Sequence, residues 1–219
     1  MTWSPRSEGA RKSGTAGPDV TAIALGLLSL VVALLALAAL WPLLLLVAAI
    51  VKLDSPGPVL FRQERVGRHG VPFRIHKFRT MRHGAAGLSI TVGDDARVTR
   101  SGRWLRRTHI DELPQLVDVL AGSMSLVGPR PEVPRYVALY PPALRERALA
   151  VRPGITDPSS LDFVDEAGLL ARAADPEREY VEVVLPRKLL CAAEYAERAT
   201  LASDVGVLLR TLRVLAGAR

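Results

Sequence analysis

Between Val20 and Val51 the chain carries no formally charged residue, whereas from Lys52 onward apolar positions come in short runs cut by charges, glycines and prolines. The uncharged run is 32 residues long and rich in leucine, alanine and valine, which predicts a helix long enough to enter a bilayer. Pro42 interrupts it. Proline removes a backbone donor and clashes with the preceding turn, so the helix is predicted to break there. Two arrangements follow from the residues alone. In one, the helix spans the bilayer with a kink near its far end; in the other, it enters, breaks at Pro42 and returns to the same face. Composition by itself favours the spanning anchor.

After Lys52 the pattern predicts smaller elements. Asp54-Ser55-Pro56-Gly57-Pro58 reads as a turn, Val59 to Phe61 and Val71 to Phe78 as strands, and Arg62 to Gly70 as a charged loop between them. Residues 82–95 read as a Gly-rich, flexible connection. Leu113 to Leu120 has helical spacing with Pro114 in a first turn, and Ala143 to Val151 reads as a helix stopped by Pro153-Gly154. Leu201, Val205, Leu208, Leu209, Leu212 and Leu215 recur at three- and four-residue steps near Arg210, Arg213 and Arg219. That spacing fits an amphipathic basic helix, lying on a membrane surface or packed on the core. Residues 1–19, rich in Gly, Ser, Pro and charge, are predicted to be disordered. The divisions are therefore 1–19, an apolar segment 20–51 and one folded domain 52–219.

Charge narrows the function. The formal net charge is +7, and most of it follows the apolar run, which suits anionic lipid headgroups, a phosphorylated substrate or nucleic acid. A neighbouring membrane segment weights the first two. Cys191 is the single cysteine, so no internal disulfide can form. His69, His76, His83 and His109 lack zinc-type spacing, and no P-loop, strand-led GxGxxG or Ser-His-Asp pattern is present.

The candidate chemistry lies in Thr99 to Pro131. There the adjacent carboxylates Asp111 and Glu112 stand among Arg100, Arg103, Arg106, Arg107 and Arg130, and Gly128-Pro129-Arg130-Pro131 closes the block. A nucleophile or metal ligand among phosphate-binding cations is what chemistry on a phosphate ester requires. Adjacent residues on a helix point about 100° apart, so the two carboxylates are read as having different roles. Asp111 as a helix cap with Glu112 in the first turn is the competing structural reading. Lys77 and Arg79, two apart on a strand, share a face and are able to clamp a diphosphate; a solvated sheet edge is the alternative. The proline-restricted corners at Arg130 and Arg152-Pro153-Gly154 aim their guanidinium groups at low entropic cost.

Taken together, these residues resemble the bacterial sugar transferases, the small monotopic phosphoglycosyl transferases. The resemblance runs through Ser55-Pro56-Gly57-Pro58-Val59-Leu60-Phe61 with Gln63, Arg65 and Gly67, then Phe73 and Lys77 to Met81. It continues through Arg103 to Gln115, Met124 to Pro131 and Val151 to Thr156. It implies an α/β, mostly helical fold: a proline-broken re-entrant helix with both ends cytoplasmic, and a compact cytoplasmic catalytic domain with short strands and amphipathic interfacial helices. The implied reaction moves a sugar 1-phosphate from a nucleotide sugar, expected to be a UDP-sugar, to polyprenyl (undecaprenyl) phosphate. It serves polysaccharide or glycoconjugate synthesis at the cytoplasmic face of the bacterial inner membrane. Asp111 would attack the sugar-bearing phosphate and release UMP, and Glu112 would hold Mg2+. Lys77, Arg79, Arg106, Arg130 and Arg152 would contact phosphate or nucleotide. Expected partners are the donor, the lipid acceptor and membrane lipid, not nucleic acid; a homodimer stays open. The rival class is a non-catalytic, membrane-anchored basic protein that binds anionic lipid or nucleic acid. The chain departs from the family's usual residues at Asp118, Ser123 and Asp157 to Phe163, and the last of these stretches is a candidate for sugar choice.

Overall fold

The computed structural model describes residues 20–159 and 165–215. The expectation of disorder at 1–19 lies outside the described residues. The fold is mostly helical, with a few short strands and one long apolar helix at its N-terminal end.

That helix, α1, runs Val20–Asp54, three residues past the apolar run. Pro42 does not end the helix: it sits inside α1, where the lost donor permits a bend without a gap in helical structure. Proline costs an interior helix one donor and a ring clash, and long flanking helix on both sides holds the conformation across it. One stripe of α1 faces the rest of the protein along its whole described length. Ala33, Ala36 and Leu37 join a core with Ile75, Leu116, Val119, Met124, Leu126, Val127 and Val207. Further on, Val47 and Val51 join a second core with Phe78 and Leu105. On its other faces Leu27, Leu34, Leu35, Trp41, Leu45 and Leu46 remain exposed, so α1 is long and apolar enough to cross a membrane but packs along the domain.

Strands β1 (Leu60–Val66) and β2 (Pro72–Phe78) form an antiparallel hairpin with Leu60 opposite Phe78 and Val66 opposite Pro72. The strand thus takes in Arg62 to Val66, which the charge pattern assigns to a loop. Cross-strand pairing outweighs charge where the side chains stand at a solvated sheet face. α2 (Arg100–Thr108) is capped by Thr99, whose hydroxyl accepts from Gly102 N at 3.0 Å, and it stops at left-handed His109. A 3-10 turn, Ile110–Gln115, then leads into α3 (Leu116–Leu120). The predicted helix from Leu113 is therefore split, with Pro114 inside the tighter turn.

β3 (Ser125–Val127) pairs in parallel with β4 (Gly154–Thr156), across α4 (Pro134–Val137) and α5 (Pro142–Ala148). Two glycines make that pairing close: a Cβ at Gly154 would lie 2.1 Å from Gly128 N. α6 (Glu166–Ala171), α7 (Pro176–Glu179), a π-helical turn (Tyr180–Val184) and α8 (Leu185–Arg198) follow. They surround a third core of Ile90, Val133, Tyr136, Leu170, Tyr180, Val184 and Leu185. The last helix, α9 (Leu201–Leu215), packs on the core through one side and leaves apolar residues exposed on another. Val207 is buried beside Ala33 of α1, while Leu201, Val205, Leu209 and Leu212 stay exposed.

Candidate active site

The 3-10 turn after α2 brings Asp111 and Glu112 to the hairpin and the Gly128-Pro129-Arg130-Pro131 corner. Successive residues of a 3-10 helix diverge by about 120°, and the two carboxylates meet different surroundings. Lys77, from β2, donates from Nζ to Glu112 Oε1 at 2.7 Å. Arg130 reaches Glu112 with both terminal nitrogens, Nη1 to Oε2 at 3.1 Å and Nη2 to Oε1. Asp111 is also buried, yet among the described residues no hydrogen bond or ion pair reaches its carboxylate.

The electrostatics separate the pair. Burial works against ionisation of Glu112, but the charges of Arg130 and Lys77 outweigh it and hold the carboxyl well below its usual range. Burial pushes Asp111 up and the neighbouring Glu112 adds to that, against the pull of Lys77, Arg106 and Arg130. Glu112 is thus a fixed anion that assembles cations. Asp111 is an uncommitted carboxylate of raised basicity in the same electropositive site, which suits a nucleophile.

Arg106, on α2, is braced by Thr80 Oγ1 at 2.8 Å and Thr91 Oγ1 at 2.7 Å, and its charge acts on Asp111. Those two bonds leave the other guanidinium donors open to a ligand. Arg130 keeps 33 % of its side chain in solvent, so its cation also faces outward.

Two expected phosphate contacts do not join this cluster. Arg79 is buried, and its donors go to Pro58 O, Ser55 Oγ, Pro56 O, Val51 O and Ser55 O, at 2.6–3.2 Å. A guanidinium has five N–H donors, and all are spent on the C-terminal end of α1 and the turn after it. Arg152 is exposed and lies beside α1: a Cβ at Gly26 would sit 3.6 Å from its Nη1.

Some residues support the site through contacts that the sequence analysis did not assign to them. Asp118 accepts from His76 N at 2.9 Å and pairs with His76 Nδ1 at 2.7 Å, which ties α3 to β2 beside Lys77. Arg97 donates to Asp95, to Leu88 O at 3.0 Å and to Ile90 O at 3.1 Å, so the Gly-rich connection is pinned. Buried Asp157 accepts from Arg130 N at 3.1 Å. The Asp118–His76 and Asp157–Arg130 pairs are far apart in sequence, so periodicity gives no sign of them.

Glu112 is the expected magnesium ligand. Both its oxygens are engaged by cations, and among the described residues no group of three or more His, Cys, Asp or Glu is arranged to hold a metal ion.

Comparison with known proteins identifies the family. The profile of the family described as "Bacterial sugar transferase" matches residues 21–218. A UDP-glucose:undecaprenyl-phosphate glucose-1-phosphate transferase of Caulobacter vibrioides is 42 % identical over 190 residues, 84 % of this chain and 67 % of the relative. The protein of the same name from Xanthomonas campestris pv. campestris is 43 % identical over 151 residues, 67 % of this chain but only 31 % of the relative's length. A UDP-N-acetylgalactosamine-undecaprenyl-phosphate N-acetylgalactosaminephosphotransferase of Aeromonas hydrophila is 47 % identical over 120 residues, 52 % of this chain and 28 % of its own. The chain thus spans between 28 % and 67 % of the length of these relatives. With its long exposed apolar helix and a site built around an uncommitted carboxylate among cations, the chain belongs to the bacterial sugar transferase family.

Proposed function

We propose that this protein transfers a sugar 1-phosphate from a UDP-sugar to undecaprenyl phosphate by a two-step displacement on Asp111. A carboxylate oxygen of Asp111 attacks the sugar-bearing phosphorus, the phosphoanhydride bond to the nucleotide breaks, and UMP leaves with the bonding electrons. A phosphate oxygen of the polyprenyl acceptor then attacks the phosphosugar-aspartate. That step forms a polyprenyl diphosphate sugar and regenerates the carboxylate. Lys77, Arg106 and Arg130 meet the diphosphate charge, and preorganised cations of this kind stabilise a phosphoryl-transfer transition state. Arg79 has no donor left for phosphate. Magnesium would add to this charge neutralisation, with Glu112 the residue expected to hold it. The observation that carries the proposal is the contrast between Glu112, bonded through both oxygens, and the buried, unbonded Asp111 beside it.

The proposal includes the topology. The stripe of α1 that packs on the domain extends from Ala33 to Val51, and Gly26 lies beside Arg152. About 25 residues of helix cover roughly 38 Å, more than a hydrocarbon core. A helix crossing straight away from a cytoplasmic domain would leave it before Ala33. Support along its length favours a monotopic, re-entrant α1 at the cytoplasmic face of the inner membrane, with exposed α9 residues in the interface.

The relatives are named for glucose and for N-acetylgalactosamine transfer, so the donor is best found with a panel. The experiment is UMP release from a set of UDP-sugars with undecaprenyl phosphate, comparing wild type with Asp111→Asn. Release by wild type alone is the expected result. Equal release by both would remove Asp111 as nucleophile, and none with any donor would favour a non-catalytic lipid-binding protein.

A further inference from the structure

Arg130 is held at both ends. Its guanidinium is fixed on Glu112, and its main-chain N–H donates to Asp157 Oδ2 at 3.1 Å. Asp157 is 2 % exposed, and its other oxygen accepts from Ser159 Oγ at 2.6 Å. It follows β4, whose backbone ties to the corner around Arg130: Gly128 N donates to Thr156 O and Gly154 N to Pro129 O, each at 3.0 Å. The Asp157 charge also adds to the field that keeps Arg130 protonated. A carboxylate this buried presents almost no surface to a sugar. The stretch beginning at Asp157, a candidate for donor choice in the sequence, therefore opens with a group turned toward the catalytic arginine.

We propose that Asp157 is a positioning residue for the transfer reaction, fixing the Arg130 backbone and thereby the Arg130–Glu112 pair beside Asp111, and that it does not select the sugar. The proposal rests on the transfer reaction above. It separates two roles that a simple loss of activity would merge. A positioning residue scales turnover of every donor by one factor, whereas a sugar contact changes the ratio between donors.

The test uses the full chain in detergent or lipid nanodiscs. Asp157→Ala should lower kcat roughly tenfold or more, by the same factor for each UDP-sugar that wild type accepts, because a buried hydrogen-bonded carboxylate is lost. Asp157→Asn keeps an acceptor oxygen for Arg130 N–H and should recover part of that loss. Arg130 pulls both active-site carboxyls downward, so loosening it should move the acid limb of the pH profile to higher pH in the Ala variant. Donor-selective loss would overturn the proposal, and so would wild-type kcat in both variants. Wild type inactive with every donor would count against the transfer reaction, and melting then decides the positioning role. Asp157→Ala, Glu112→Gln and the double variant should lower Tm non-additively, because the two residues act on one arginine. Strict additivity would sink the inference, with or without catalysis.

Discussion

Glu112 Oε1 lies 2.7 Å from Lys77 Nζ, and that bond joins the turn after α2 to the β1–β2 hairpin at the centre of the site. With Arg130 on both oxygens, Glu112 is a buried anion compensated by two cations. Removing one charge of such a group strands its partners, at a cost of about 3–5 kcal/mol. Glu112→Gln should therefore lose both transfer activity and stability, seen as a lower Tm. Retained stability would mean that Lys77 and Arg130 find other partners.

Asp111 behaves in the opposite way. Its folded pKa is raised above the ordinary 3.8, so it supports the fold while protonated, and that support is lost as pH rises through the folded value. At neutral pH its ionised form costs stability. Asp111→Asn should be inactive yet melt higher than wild type near pH 7, by roughly 2–4 °C for each kcal/mol relieved. The gain should shrink as acidification protonates wild-type Asp111. Melting curves across pH measure both points.

The same direction applies to the rate. If ionised Asp111 is the nucleophile, activity falls as it protonates, and its raised pKa places the acid limb above 3.8. A profile of kcat/KM against pH that stays flat down to that value would exclude Asp111 as the titrating group.

Much of this site was legible in the sequence, because its parts lie in short motifs. Asp111, Glu112, Lys77, Arg106 and Arg130 stand together as the composition and corner geometry imply. What the sequence could not separate is which cations are free. Arg79 and Lys77 sit two residues apart in one motif, yet Arg79 caps α1 and Lys77 meets Glu112. Burial by a helix more than twenty residues away decides that, and no local pattern carries it. Pro42 is legible only in part for a related reason: local chemistry argues for a kink or a break, and the helix on both sides keeps the backbone helical there. The role of Asp157 depends on a parallel β3–β4 pairing between strands far apart in sequence.

Arg79 can be tested as a cap. Arg79→Ala should destabilise the fold by about 3–5 kcal/mol, since carbonyls at the end of α1 lose a buried charged donor. Arg79→Lys should recover little, because an ammonium offers three donors where the guanidinium uses five. A variant that raises KM for the donor with unchanged Tm would return Arg79 to the phosphate site.

The topology of α1 yields to chemical labelling. In a Cys191→Ser background, Ser13→Cys reports on which side of the membrane the segment before α1 emerges. A re-entrant α1 returns both ends to one face, so a membrane-impermeant maleimide should label Ser13→Cys in inverted inner-membrane vesicles and leave it unmodified in intact spheroplasts. A spanning α1 predicts the reverse pattern. The re-entrant outcome is favoured because Ala33 and Val51 both pack on the same domain although eighteen residues separate them. In a straight helix those residues stand about 27 Å apart along the axis. A domain in contact with both, and with Gly26 beyond them, would have to sink through most of the hydrocarbon if α1 stood across the bilayer. Its exposed charged surface makes that far costlier than bending or tilting one helix into the interface.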